Sequence, residues 1–354
     1  MTKEFLMGNE AIVRGAIAAG AKMMTGYPIT PTTEIMEYWV KAGEQRPELK
    51  FSQSEDEMAA GFAMLGACLA GVKAFSATAG PGNILMQDAF SMAENMRIPT
   101  VSFINQRGGP STGTVIYSQQ ELNLTCFGGN GEGLRIVYAT ANVQELYDYA
   151  IKAFNTAWKY HFPTFVLADG YQGKTQTMIE VYEPQEKQLE IVASQPFLFH
   201  PQREKGKFQH LRNTYNQEEE LAELLENHCR YFEEVKPEIV EYEDFHTLDA
   251  KVVVFAFGIV AAAAKQAIEN LRQEGKKVGL FRPITLNPFP KESALTVTAN
   301  KKALLIIESA LGQFERLVKA NLYGIDTKII PFQKPALGFT PEEIVEKINE
   351  ILKK

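Results

Sequence analysis

The sequence predicts an α/β protein with two doubly wound domains, and two observations carry this prediction. Short apolar runs alternate with longer stretches of helical periodicity in both halves of the chain, the pattern of a parallel sheet covered on both faces. The 354 residues are also too many for one compact core. We expect one domain at residues 1–182 and a smaller one at 248–354.

In the first domain, predicted strands alternate with predicted helices. The strands are expected at residues 22–28, 49–54, 72–78, 100–106, 134–139 and 164–169. The helices are expected at residues 9–20, 31–45, 56–71, 82–96 and 142–160. Four further apolar runs, KVVVFAFG, KKVGLFRPI, ALLIIES and TKIIPF, predict the strands of the second domain. Functional residues should then lie where strands end.

The segment between the two domains, residues 183–247, has a different character. It is polar, contains the run PQREKGKFQHLRNTYNQEEE, and holds one expected helix around residues 218–234. We interpret it as a linker or surface excursion.

Composition excludes several classes of function. A net charge of −7 argues against a nucleic-acid-binding protein. The three cysteines, Cys68, Cys126 and Cys229, form no CxxC pair, so this chain alone is not expected to build a zinc site or an iron–sulfur cluster. The longest apolar run, residues 252–264, is too short to span a bilayer, and the N-terminus does not resemble a signal peptide. We expect a cytoplasmic protein without membrane partners.

The stretch GYPITPTTE places two prolines around a threonine, ahead of an amphipathic run. Because proline fixes its own φ and disfavours helix in the residue before it, Tyr27 and Thr30 are expected to be extended. Pro31 would then open a helix with Thr30 as its N-cap. The alternative is that this stretch is only a strand-to-helix corner with an ordinary cap and no functional role, and the stretch alone does not exclude that alternative.

Four segments carry a resemblance when they are taken together: GYPITPTTE, SQSEDEMAAGFAMLGACLAG, FSATAGPGNILMQDAFSMAE and INQRGGPSTG. They resemble the α subunit of the 2-oxoacid:ferredoxin oxidoreductases over about residues 5–175, and GLFRPITLNPFP with IIESALGQ resembles its second domain. The resemblance implies a thiamine diphosphate aminopyrimidine-binding domain followed by a domain similar to the C-terminal domain of transketolase. It also implies oxidative decarboxylation of a 2-oxoacid, with coenzyme A as acyl acceptor and ferredoxin as electron acceptor.

The same resemblance implies a cofactor shared between chains. The diphosphate-binding domain of thiamine enzymes carries a Gly-Asp-Gly motif that supplies oxygen ligands to Mg²⁺, and this sequence has no such motif; ADGYQGK at 168–174 lacks the pattern. We therefore expect a β subunit to hold the diphosphate and Mg²⁺. Iron–sulfur clusters are expected on partner subunits, which would include a γ subunit and a ferredoxin-like subunit.

By resemblance, Glu57 is the catalytic acid. It lies nine residues before Gly66 in the small-residue segment GACLAG, as the glutamate does in related thiamine enzymes. Its carboxylate would hydrogen-bond N1′ of the aminopyrimidine ring and favour the imino tautomer, whose 4′-nitrogen removes the C2 proton. Glu55 and Asp56 are interpreted only as acids that favour a helix N-terminus.

Two substrate-binding residues are also implied by the resemblance. The Thr30 hydroxyl would contact the 2-oxoacid, and the Arg107 guanidinium suits its planar carboxylate. The alternative for Arg107 is an ordinary strand-end arginine in solvent. Ser111 and Thr112 would border the same pocket.

The cofactor-binding residues expected in YPITP are Tyr27, Pro28 and Ile29. In TAGPGNILM, Gly80 and Gly82 belong to a Gly-Pro-Gly turn before a helix, which can present N–H groups to an anion or serve as a tight connection without a ligand. The sequence contains no GxGxxG motif and no P-loop. The histidines, His161, His200, His210, His228 and His246, show no metal-ligand spacing.

The expected function is therefore that of an α subunit active only with partners. The branched 2-oxoacid 3-methyl-2-oxobutanoate (ketoisovalerate) and 2-oxoglutarate are the expected substrates. Two alternatives remain open at this point: a subunit of a nonoxidative thiamine-dependent decarboxylase, and a noncatalytic structural subunit of the same fold.

Overall fold

The computed structural model describes residues 1–195 and 211–353 and shows two large, mostly parallel sheets. The described strands are β1 (Thr2–Met7), β2 (Met23–Gly26), β3 (Lys50–Gln53), β4 (Ala74–Thr78), β5 (Val101–Gln106), β6 (Ile136–Ala139), β7 (Thr164–Asp169), β8 (Gln176–Val181), β9 (Tyr242–Phe245), β10 (Val252–Phe255), β11 (Val278–Pro283), β12 (Thr285–Asn287), β13 (Ala303–Glu308) and β14 (Ile329–Gln333). The predicted α/β class is confirmed.

Helices cover both faces of these sheets. The described α-helices are α1 (Gly8–Ala18), α2 (Thr33–Gln45), α3 (Glu57–Leu69), α4 (Pro81–Leu85), α5 (Gln87–Asn95), α6 (Leu122–Phe127), α7 (Val143–Tyr160), α8 (Gly170–Lys174), α9 (Glu218–Ile239), α10 (Gly258–Gln273), α11 (Lys291–Thr298), α12 (Gln313–Asn321) and α13 (Pro341–Lys353). A 3₁₀ helix at Pro184–Lys187 follows β8. Among the described residues, no helix is long and apolar enough to cross a membrane.

The first sheet has seven strands in the order β12-β6-β7-β5-β4-β2-β3. Every strand predicted in the first half of the chain lies in it, and these six strands are parallel to their neighbours. Only β12 runs antiparallel, against β6. Because β5, β4, β2 and β3 are consecutive neighbours, the loops that follow their carboxyl ends meet at one edge of the sheet.

The second sheet has the order β14-β13-β10-β11-β9. Its edge strand β9 is antiparallel to β11 and comes from within the polar segment 183–247. Conversely, β12 leaves the second half of the chain to join the first sheet. Since the second sheet takes a strand from residues 183–247 and the first sheet takes one from residues 248–354, the division into 1–182, 183–247 and 248–354 stays a prediction. Residues 196–210, with His200 and His210, lie outside the described residues.

A continuous hydrophobic core joins the two sheets. Phe165 and Leu167 of β7 pack in one buried cluster with Phe255 of β10 and Phe281 of β11. The opposite face of the first sheet is covered by α1, α2 and α7, where buried aromatic rings meet edge to face. The helix α9 closes one end of the first sheet, because its Phe232, Val235 and Ile239 pack beside β6. The carboxyl-end loops therefore stand on a scaffold buried from both sides.

Three local features differ from the sequence-based expectations. Strands β1 and β8 form an antiparallel ribbon that no local pattern indicated, since β1 is mostly exposed and its partner lies far along the chain. The helix expected at 82–96 is divided into α4 and α5 at Met86. The helix expected from Pro31 begins at Thr33 instead.

The late start of α2 has a clear physical cause. The Thr32 N–H and the Thr32 hydroxyl both donate to the Ile29 carbonyl, which closes a turn over residues 29–32 before the helix begins. The Asn9 amide donates to the Pro31 carbonyl at 2.9 Å. Thr32 therefore occupies the N-cap position, and the prediction that Thr30 caps this helix is wrong.

The crossing of α1 and α7 provides a test of this packing. A Cβ at Gly15 would stand 2.5 Å from the Tyr147 carbonyl oxygen and 2.7 Å from the Ala150 Cβ. Gly15→Ala is therefore expected to lower the free energy of unfolding by about 1–3 kcal/mol through overpacking. The measurement is urea denaturation of the purified chain.

The matched control is Gly66→Ala in α3, where no described atom outside the neighbouring backbone of the helix lies within 4 Å of the added Cβ. This control should raise the free energy of unfolding by roughly 0.5–1 kcal/mol, because alanine favours helix over glycine. Equal stabilisation by both substitutions would show that the α1–α7 crossing is not close-packed at Gly15.

Candidate functional site

The predicted site residues lie at one edge of the first sheet. The segment at residues 27–30 follows β2, Glu57 opens α3 after β3, Gly80 and Gly82 follow β4, and Arg107 follows β5. Three close contacts connect these loops. Arg107 hydrogen-bonds Thr30, the Arg107 side chain packs against Gly80, and the Glu57 side chain packs against Gly82. The structure thus brings together side chains that are far apart in sequence.

The three neighbouring acids at the start of α3 have different environments. Asp56 is the N-cap, and its carboxylate accepts the Ala59 N–H at 2.7 Å. Glu55 is exposed, whereas Glu57 is only 6% exposed. Burial raises the pKa of Glu57; its own backbone N–H and the Arg107 charge oppose this rise, while Asp56 adds to it. No side chain in the described part of the chain donates a hydrogen bond to the Glu57 carboxylate.

Gly82 provides the space that the Glu57 side chain occupies. A Cβ at this position would lie 2.6 Å from Glu57 Oε1 and 2.1 Å from Thr78 Oγ1. The Thr78 hydroxyl is buried and has no hydrogen-bond partner within the described residues. Any side chain at position 82 would therefore displace the Glu57 carboxylate or the Thr78 hydroxyl.

Arg107 is buried, which excludes the alternative of an ordinary arginine in solvent. The residue is 6% exposed, and its Nη1 donates to the Thr30 carbonyl at 2.8 Å. Its Nε lies 2.6 Å from where a Gly80 Cβ would stand, and Gly80 has φ +53°, in the left-handed region that favours glycine. This Nε is buried without a hydrogen-bond partner among the described residues, so no hydrogen bond within the described chain compensates its burial.

The YPITP segment contributes mainly through its backbone. Thr30 is exposed, and its carbonyl is the group that contacts Arg107. Tyr27 and Pro28 are also exposed, whereas Ile29 is half-buried. Ser111 and Thr112 are exposed on the loop after Arg107.

Glu121 is a buried acid at this site that the sequence analysis missed. It occupies the N-cap position of α6 and is 4% exposed. Its Oε1 accepts the N–H groups of Gly80 and Arg107, each at 2.9 Å, and its Oε2 accepts the Asn83 amide at 3.0 Å. The Gly80 N–H is therefore used within the chain. The only signal in the sequence was an acid directly before a short apolar run.

The second sheet supports the chain between Arg107 and Glu121. The Tyr117 hydroxyl lies 2.7 Å from the Ser309 hydroxyl. Gln119 donates to the Phe257 carbonyl and accepts the Ser309 N–H, both at 2.9 Å. The loops that follow β10 and β13 thus brace the segment that carries Arg107.

The edge around these residues exposes apolar side chains. Six of them lie in or beside the site segments: Tyr27, Met58, Ile84, Leu85, Val115 and Ile116. The described residues contain no group of three His, Cys, Asp or Glu side chains that could hold a metal ion. This surface combines buried polar groups with an apolar rim.

Two family models match the chain. Residues 14–244 match the thiamine-diphosphate-binding domain of pyruvate flavodoxin/ferredoxin oxidoreductases, and residues 250–338 match core domain II of pyruvate:ferredoxin oxidoreductase. Curated relatives include subunit KorA of 2-oxoglutarate synthase from Methanocaldococcus jannaschii, which is 34% identical over 88% of this chain and 90% of its own length. Subunit VorB of ketoisovalerate oxidoreductase from Methanothermobacter marburgensis is 33% identical over 99% of this chain and 98% of its own length.

Solved structures agree with these matches. The chain aligns with 2-oxoglutarate:ferredoxin oxidoreductase from Magnetococcus marinus, solved with 2-oxoglutarate, coenzyme A and succinyl-CoA bound, at a TM-score of 0.89 and 27% identity. The alignment covers 99% of this chain and 65% of that chain. A split-gene transketolase shares the fold at a TM-score of 0.58 and 15% identity. The resemblance seen in the sequence is thereby confirmed: the chain belongs to the pyruvate flavodoxin/ferredoxin oxidoreductase family.

Proposed function

We propose that this chain is the α subunit of a ferredoxin-dependent 2-oxoacid oxidoreductase and supplies the aminopyrimidine half of its thiamine diphosphate site. The observation that carries the proposal is Glu57, a buried acid at the sheet edge with no side-chain partner in the described part of the chain. Burying a carboxylate without a partner costs stability. A noncatalytic structural subunit would gain nothing from keeping this acid.

The residues at the edge fit the proposed cofactor. Glu57 offers a carboxylate to a ring nitrogen, and Gly82 allows that carboxylate to lie where it does, because a side chain at position 82 would displace it. The Thr78 hydroxyl and the Arg107 Nε are buried without protein partners among the described residues, as is typical of groups that serve a polar ligand. When bound, thiamine diphosphate supplies the electron sink that decarboxylation of a 2-oxoacid requires. Tyr27, Pro28, Ile29 and Gly80 are proposed to border it.

The proposed role of Glu57 fits its environment. A carboxyl group whose pKa is raised by burial holds its proton at higher pH than an exposed one. Such a group is suited to a hydrogen bond that shares a proton with a ring nitrogen, which is what tautomer control of the aminopyrimidine needs. Its neighbours Glu55, which is exposed, and Asp56, which caps the helix, have no such role.

Arg107 and Thr30 are proposed to bind the substrate. The buried guanidinium carries a fixed charge, and its planar fork matches the carboxylate next to the 2-oxo group. The exposed Thr30 side chain would face the same ligand from the neighbouring loop. Relatives named for 2-oxoglutarate and for ketoisovalerate match the chain about equally, so both acids are proposed substrates. Turnover of a panel of 2-oxoacids by the assembled complex would distinguish them.

The proposed partners complete the reaction. A β subunit would hold the diphosphate and Mg²⁺, and it would cover the apolar rim around the site. A γ subunit and a ferredoxin-like subunit would carry the iron–sulfur clusters and pass electrons to ferredoxin, with coenzyme A accepting the acyl group. The three cysteines of this chain are free thiols, which supports a reducing, cytoplasmic setting. A nonoxidative decarboxylase remains the alternative, distinguished by its failure to reduce ferredoxin.

Subunit dependence is the first prediction for this function. The purified chain alone should oxidise no 2-oxoacid and should bind thiamine diphosphate only weakly, since it lacks the Gly-Asp-Gly motif. Calorimetric titration with the cofactor and Mg²⁺ measures this directly. Tight Mg²⁺-dependent binding by the isolated chain would disprove the half-site proposal.

The catalytic role of Glu57 can be separated from that of its neighbours. Glu57→Gln keeps the shape but removes the carboxylate, so exchange of the cofactor C2 proton in the assembled complex should slow by about 10²-fold or more. NMR measures this exchange before any substrate or electron carrier is added. The matched control, Glu55→Gln, should exchange at the wild-type rate. Slow exchange in the control but not in Glu57→Gln would assign the catalytic acid to Glu55.

The same substitution should stabilise the isolated chain at neutral pH. Because burial raises the pKa of Glu57 in the native state, the native protein binds this proton more tightly than the unfolded chain does. The free energy of unfolding therefore falls as pH rises from about 4.3, the ordinary pKa, through the raised native value. Gln does not ionise, so Glu57→Gln escapes this loss.

Thermal unfolding of wild type and Glu57→Gln between pH 4 and pH 8 provides the measurement. The midpoint of Glu57→Gln should exceed that of wild type at pH 8, and the difference should shrink as the pH approaches the ordinary pKa of a glutamate. Glu55→Gln serves as the exposed control and should track wild type. A difference that does not depend on pH would mean that ionisation of Glu57 is not its source.

A further inference from the structure

Glu121 connects the two loops that carry the proposed machinery. One oxygen of its carboxylate accepts both the Gly80 and the Arg107 N–H groups, and the other accepts the Asn83 amide. Gly80 follows β4 as the N-cap of α4, Asn83 lies in α4, and Arg107 follows β5. The carboxylate therefore spans two adjacent sheet ends through main-chain contacts.

The chemistry of the contact favours a charged carboxylate. Three donors converge on Glu121, so an amide at this position could accept with one oxygen only and would direct its own N–H groups at donors. Burial raises the pKa of Glu121, while the hydrogen bonds from Arg107, Asn83 and Gly80 favour the ionised form. These hydrogen bonds, together with the charge of Arg107, compensate the burial of the Glu121 carboxylate.

The two connected loops control how the functional groups face each other. The Gly80 backbone packs on the side chain of Arg107, and the Gly82 backbone packs on the side chain of Glu57. A shift of the turn relative to Arg107 would therefore change the separation between the guanidinium and the Glu57 carboxylate. A displacement of about 1 Å at such groups is enough to weaken catalysis or binding strongly.

We propose that Glu121 is a positioning residue, which fixes the Arg107 main chain to the Gly80 turn and thereby sets the placement of Arg107 relative to Glu57. This inference rests on the proposed function, in which Arg107 binds the substrate carboxylate. Glu121 itself is enclosed by protein groups and acts through Arg107. Residues 117–120, which directly precede Glu121, are themselves fixed by hydrogen bonds to the second half of the chain.

The test compares Glu121→Gln with Glu94→Gln in the assembled complex. Glu94 is also a buried glutamate; it pairs with Arg135 and is linked to the Glu121 partner Asn83 only through Arg135 and Gln87. Its substitution therefore reports the cost of losing a buried carboxylate that accepts neither the Gly80 nor the Arg107 N–H. Glu121→Gln should raise the KM for the 2-oxoacid about tenfold or more, the scale of a weakened charged hydrogen bond. Glu94→Gln should leave this KM at the wild-type value. Arg107→Lys provides the reference for a lost forked contact.

A second measurement does not depend on activity. Hydrogen–deuterium exchange of peptides containing Gly80 and Arg107 should speed up in Glu121→Gln and stay unchanged in Glu94→Gln. The reason is that the charged acceptor of both N–H groups becomes a neutral amide, whose own N–H groups would face either these donors or the Asn83 amide. If Glu121→Gln does not fold, Glu121→Asp, which keeps the charge but is shorter by one methylene, is judged by the same criteria.

The outcomes separate the two proposals. An unchanged KM together with unchanged exchange at Gly80 and Arg107 would overturn the positioning role. A fall in kcat that merely follows the folded fraction, with KM at the wild-type value, would also overturn it. If the wild-type complex turns over no 2-oxoacid, the proposed function fails, and the exchange measurement alone then decides whether Glu121 holds the two loops.

Discussion

The close approach of the Gly80–Gly82 backbone to two charged side chains is the constraint on which this site depends. Arg107 packs against Gly80 and Glu57 packs against Gly82, with no room for a Cβ at either position. The backbone of residues 80–82 can approach both Arg107 and Glu57 so closely only because Gly80 and Gly82 have no side chain. The separation of the two charges is therefore determined by backbone, which is more rigid than side-chain contacts would be.

Several buried polar groups at this edge lack hydrogen-bond partners within the described residues, so their positions must be fixed by packing elsewhere in the fold. The first sheet supplies part of this support, since its central strands are covered on both faces by buried apolar side chains. The second sheet supplies the rest through the contacts of Ser309 and Phe257 with residues 117–119. The second half of the chain thus supports the site by fixing the loop between Arg107 and Glu121.

Most of the fold could be predicted from the sequence, because alternation of apolar strands and amphipathic helices is a local property. Features that depend on distant partners could not be predicted. The ribbon of β1 and β8 joins the two ends of the first 181 residues, and the three donors to the Glu121 carboxylate lie 41, 38 and 14 positions away. The role expected of Glu57 came from the resemblance to thiamine enzymes and stays a prediction, whereas Thr30 was misplaced as a cap because the turn at Ile29 closes through Thr32.

The polar groups left without protein partners also bear on why such a chain would act only in a complex. The Thr78 hydroxyl and the Arg107 Nε are buried without hydrogen-bond partners within the described residues, and the Glu57 side chain is also buried. Each of these groups lowers the stability of the isolated chain. In the proposed function, a cofactor presented by a partner subunit would satisfy them, while the apolar rim would be buried by the same contact. The groups that destabilise the isolated chain are then the ones that favour assembly, so binding of cofactor and partner would be thermodynamically coupled.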